Sequence, residues 1–110
     1  MTTIEINNVA FTLCYPPRAR LLALVKASEV DPSVSIGLQL GACITSPILK
    51  TEYPARDRDT GVRPLGLLCD YGEDVEEEVI KLVGGFDNLT LIVDATTAII
   101  VAGREDRKND

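Results

Sequence analysis

Apolar and polar residues alternate from position 3 to 15, with Ile4 and Ile6 before the Asn7-Asn8 pair and Val9, Phe11 and Leu13 after it. Alternation on both sides of a turn-prone dipeptide predicts a β-hairpin, because successive strand residues face opposite ways and Asn tolerates the left-handed backbone of a tight turn. Pro16-Pro17 ends the second strand. The spacing then becomes helical from Pro17 to about Ser28, with Leu21, Leu24, Val25 and Ser28 on one face. From Val34 to Ile44 every even position is apolar, a strand pattern, yet Asp31 as a cap, Pro32 at a first helical position and the stop at Ser46-Pro47 frame a helix. The interior glycines Gly37 and Gly41 weigh against a strand. As a helix, the segment places both on one face, where a neighbouring helix can approach closely.

Residues 47 to 64 hold three prolines and few apolar anchors, which predicts a surface loop, with 48–63 a flexible charged stretch. Pro64 opens a helical pattern through Leu65, Leu67, Leu68 and Tyr71, with Gly72 marking a bend or a fresh start. From Glu73 to Val83 the period is helical, with Val75, Val79, Leu82 and Val83 inward and Gly84-Gly85 as the stop. The last apolar segment again fits two elements: a helix from about Asn88 to Gly103, capped by Asp87 with Phe86 and Leu91 as a hydrophobic staple, or two strands around a turn. The expected fold is α+β and mainly helical: an N-terminal β-hairpin followed by a small bundle of about four helices, with a frayed charged tail at 104–110. The alternative has more β structure, with 34–44 and 89–102 as strands.

At 110 residues the chain is one domain by length, 1–110, able to bury a core without disulfides or metal. No Trp and few aromatics leave that core to Leu, Ile, Val and Ala. Three widely spaced cysteines suit free thiols in a reducing compartment. No leader pattern is visible, and no segment is expected to approach the ~20 apolar residues needed to span a bilayer, so a cytoplasmic protein without a membrane partner is expected. The net charge of −6 is concentrated in Asp70, Glu73, Asp74, Glu76, Glu77 and Glu78, while the remaining acids are matched by the basic residues. A helix starting near Glu73 would gather these acids at its positive end, where the dipole favours them.

Chemistry is sparse. Histidine is absent, which excludes Ser-His and Cys-His nucleophile pairs and the commonest metal ligand. No phosphate-binding glycine loop occurs, and the consecutive acids lack the spacing of a calcium loop. No catalytic, cofactor-binding or metal residue is therefore assigned, and no enzyme is expected. Arg56, Arg58 and Arg63 each have an acid nearby, and a net negative domain is repelled by phosphate, so no nucleic acid is expected either. The candidate partner-binding residues are Glu76, Glu77 and Glu78, with Val75 and Val79 beside them, as the rim of a site for an amphipathic or basic protein partner.

The order of a hairpin, the Pro-Pro-Arg-Ala-Arg-Leu-Leu-Ala-Leu entry to a helix (Pro16 to Leu24), a small-residue helix ending at a proline, and Asp70-Tyr71-Gly72 with Val75 and Leu82 before Gly84-Gly85 resembles the small tail assembly chaperones of tailed phages. That resemblance implies a non-enzymatic assembly factor in the host cytoplasm that binds the tape measure protein and helps tail tube subunits assemble around it. Two rival expectations belong to other classes: a structural virion or connector subunit that forms a ring as a homo-oligomer, and an acidic inhibitor of a nucleic-acid-binding protein. Under the first reading, reversing Glu76, Glu77 and Glu78 to Lys is expected to weaken partner capture and leave thermal stability nearly unchanged.

Overall fold

The computed structural model describes residues 1–108, with side chains through 104. Strands β1 (Thr2–Ile6) and β2 (Val9–Leu13) pair antiparallel with Ile6 opposite Val9, so Asn7 and Asn8 form the two-residue turn. Both have positive φ, 54° and 61°, the left-handed backbone for which the Asn pair is suited. Helix α1 (Arg18–Val30) follows, burying Leu24 and Ala27. Val25, expected inside, is exposed, because Ala27 takes the inward position.

The ambiguous segment is helical. Asp31 accepts hydrogen bonds from the Ser33 amide and hydroxyl, at 3.1 and 2.6 Å, and starts a 3₁₀ turn at Pro32–Val34. Helix α2 (Ser35–Cys43) continues from it. The chain then leaves the helix before the expected stop: β3 (Ile44–Ser46) pairs antiparallel with β2 and extends the hairpin to a three-stranded sheet in the order β1-β2-β3. The sheet edge supplies backbone partners that local spacing does not reveal.

Helix α3 (Leu65–Val83) is one continuous element through Gly72. Gly72 is no bend; it sits where α2 and α3 touch backbone to backbone. A Cβ at Gly37 would run into the Gly72 carbonyl, and a Cβ at Gly41 into the Tyr71 hydroxyl. The small-residue face expected of the 34–44 helix is thus the α2–α3 contact. Gly84, at φ 85°, ends α3 in the left-handed conformation, and its amide and that of Gly85 both donate to the Ile80 carbonyl. The Asn7 side chain donates to the Leu82 carbonyl and the Asn88 side chain to the Val83 carbonyl, so the hairpin turn and the next helix both satisfy the end of α3.

Helix α4 (Phe86–Lys108) also replaces the strand alternative. It starts at Phe86, directly after the glycines, so Phe86 and Leu91 lie inside it, both exposed, and form no staple. Leu89, Ile92 and Ile100 enter the core, and buried Thr96 accepts a hydrogen bond from the Gln39 amide at 2.8 Å, which ties α4 to α2. The stretch Phe86–Arg104 has mean hydropathy 1.4 and is 22% buried, long and apolar enough by length and composition to cross a membrane. The expectation that no segment approaches that length and apolarity is thereby corrected: Asp87 and Asp94 break the run, but the helix around them stays apolar on average. Of the tail expected to fray, 109 and 110 lie outside the described residues. The core lies where the sheet meets the helices, around Phe11, Leu13, Leu40, Val75, Val79, Val83 and Ile92.

Candidate functional site

The continuity of α3 changes the meaning of its acids. The helix begins at Leu65, its first turn holds no acid, and Asp70 to Glu78 occupy later turns. The dipole acts within the first and last turns, so it does not account for them. Nor do the five candidate residues form one surface. Val75 and Val79 are fully buried in the core and take no part in an exposed rim. Glu77 is exposed and pairs with Lys81 at 3.5 Å, one helical turn on. Glu76 is half-buried.

Glu78 has a different task. Its carboxylate accepts hydrogen bonds from the Lys50 amide at 2.7 Å, the Thr51 amide at 3.0 Å and the Thr51 hydroxyl at 2.9 Å. Burial acts to raise its pKa, but the Lys50 amide, the two Thr51 donors and the Lys50 ammonium outweigh it and hold the carboxyl below its ordinary value. The loop from 47 to 64 is therefore fastened to α3. A second anchor is Tyr53, whose ring meets Tyr71 edge-on at 5.2 Å between centroids. The guanidinium groups of Arg20 and Arg63 lie 4.8 and 4.6 Å from its centroid, and Arg63 also donates to the Pro54 carbonyl at 3.0 Å. Asp57 closes the loop tip by accepting from the amides of Asp59 and Thr60, bonds that lower its pKa.

So fastened, the loop forms one wall of an open groove of about 380 Å³, with α1 as the other wall and the start of α3 at its base. Its apolar surface comes from Leu22, Ala23, Val30, Val62, Leu65 and Leu68, of which Leu22 is 49% and Val62 64% exposed. Lys26, Arg56 and Arg63 also line it, and no acidic residue does. In a chain of net charge −6 this is a local reversal of sign. Three of the α3 acids border a different cleft, where Asp74, Glu77 and Glu78 face Lys50 and Lys81. The basic side chains were visible in the sequence, but each had an acid as a chain neighbour; folding points Asp57 into its own turn and leaves Arg56 on the groove.

Two of the thiols, Cys43 and Cys69, are held in the protonated form. Burial, and then the neighbouring Cys14, pushes the Cys43 pKa up to about 12. Desolvation, with Asp31, Asp70 and Glu73 nearby, raises that of Cys69. Among the described residues no three His, Cys, Asp or Glu converge as a metal site. Comparisons of the chain with protein-family models, curated proteins and solved structures find no match.

Proposed function

We propose that this protein is a non-enzymatic binding module that seats an amphipathic, acidic segment of a protein partner in the groove between α1 and the 47–64 loop. The observation that carries this reading is the groove's lining: exposed aliphatic side chains with three basic residues and no acidic one. Apolar side chains of a helix at i, i+3 or i+4, and i+7 would contact Leu22, Val30 and Val62, while its flanking carboxylates would meet Lys26, Arg56 and Arg63. The apolar contacts supply most of the affinity, and the charges select orientation and speed encounter. The partner's charge is thus acidic, where the α3 stripe had suggested a basic one. An assembly factor that shields a long helical client, such as the phage tail chaperones resembled by the chain, needs a groove of this kind.

Fluorescence anisotropy with two labelled helical peptides, one with Glu and one with Lys flanking the same Leu positions, tests it. The acidic peptide is expected to bind, and K26E/R56E to weaken it by about tenfold or more, as the loss of ~1.4 kcal/mol would do. Equal affinity for both peptides, or no binding of either, overturns the reading.

A further inference from the structure

Building on that groove, we infer that it also accepts a second copy of this chain, through the strip of α3 formed by Leu67, Asp70 and Asp74. These residues are spaced by three and four and share one face of the helix. Leu67 is 47% exposed, and Asp70 and Asp74 are exposed beside it. An aliphatic side chain flanked by carboxylates is the complement of an aliphatic groove flanked by Lys26, Arg56 and Arg63. The side chains of Lys26, Arg56, Asp70 and Asp74 make no ion pair or hydrogen bond among the described residues, so all four remain available to a neighbour.

The geometry excludes self-closure within one chain. Leu65 and Leu68 line the groove, and at 100° per residue the strip lies on the opposite side of the same helix. One copy therefore presents a groove on one side and the matching strip on the other, and the contact is head to tail. Such contacts leave one groove and one strip free at the ends and extend into chains or close into rings. The strip would compete with the partner segment for the groove, so a copy bound to its neighbour is blocked until the partner displaces it. Since the seat is shared, this inference rests on the groove reading, and the test separates the two.

Sedimentation of the full chain at low salt and at about 0.5 M salt, where charges beyond a few Å are screened, measures the association. The mass is expected to rise with concentration at low salt and to return towards the monomer at high salt. K26E/R56E and D70K/D74K are each expected to stay monomeric, with the milder K26Q/R56Q and D70N/D74N giving a partial loss should a reversal disturb folding. An equimolar mixture of the two reversed variants is the decisive sample: the native strip of one faces the native groove of the other, and the two reversed surfaces are again opposite in sign, so the mixture should regain the association that each variant loses alone. A wild-type chain that stays monomeric at low salt, or oligomers that persist in both variants and at high salt, overturn the inference. If the acidic peptide still binds in those cases, the groove reading stands and only the self-contact is lost.

Discussion

Gly37 and Gly72 show how much one missing methyl group can position. Their backbones touch across α2 and α3, and a side chain on Gly37 would occupy the space of the Gly72 carbonyl. Close packing leaves no cheap relief, since a backbone atom cannot rotate away as a side chain can. Gly37→Ala is expected to destabilise the fold by about 1–3 kcal/mol, the usual cost of overpacking, as read by urea denaturation. Gly66→Ala supplies the contrast: it stands in the first turn of α3 with open space around it and should gain about 0.5 kcal/mol from helix propensity. Equal effects at the two positions would mean that propensity, not contact, governs both. The pairing of Gly37 and Gly41 on one face was legible in the sequence; that Gly72 answers Gly37 was not, because the two are far apart in the chain.

At the scale of elements, the loop from 47 to 64 and helix α3 are joined through Glu78. The polar, proline-rich composition of the loop is a local property, but the carboxylate that holds it comes from another element. Reversal of Glu78 therefore costs stability, in contrast to the small effect expected for a solvated acid. Because the folded pKa lies below the ordinary value of 4.5, Glu78 contributes stability above that pH, and the contribution fades as pH falls through the folded value. Glu78→Gln is expected to cost about 1 kcal/mol near neutral pH, the group being largely solvated, with the difference from wild type shrinking below pH 4.5. Chemical denaturation at a series of pH values checks this; a difference constant with pH would refute the anchor. The start of α4 has a similar lesson. Its period was readable, but its first residue follows from Gly84 and Gly85 reversing the chain, which also put Phe86 and Leu91 on the surface.

For the whole molecule, the distribution of charge matters more than its sum. The groove collects basic residues and the far side of α3 collects acids, so net charge −6 conceals two patches of opposite sign. Were the acids held by the helix dipole, neutralising them would weaken the fold. Placed in later turns, with Asp70 and Asp74 as like charges four apart, they mildly oppose it. Asp70→Asn/Asp74→Asn is accordingly expected to leave ΔG of unfolding within about 0.5 kcal/mol or raise it slightly, with calorimetry as the measure. A clear loss would return the acids to a structural role.

Features written in short-range chemistry were readable from the residues alone: the Asn-Asn turn, the element boundaries at Pro17, Pro64 and Gly84, the helical period of α3 and α4, and the absence of histidine chemistry. Each depends on a few neighbouring residues and their backbone preferences. Third strand, unbroken α3, buried Val75 and Val79, anchoring Glu78 and the basic groove all required contacts between distant segments. Which face of an element is covered, and which charges are left facing solvent together, is set by packing across the chain, where chain neighbours such as Arg56 and Asp57 are turned to different tasks.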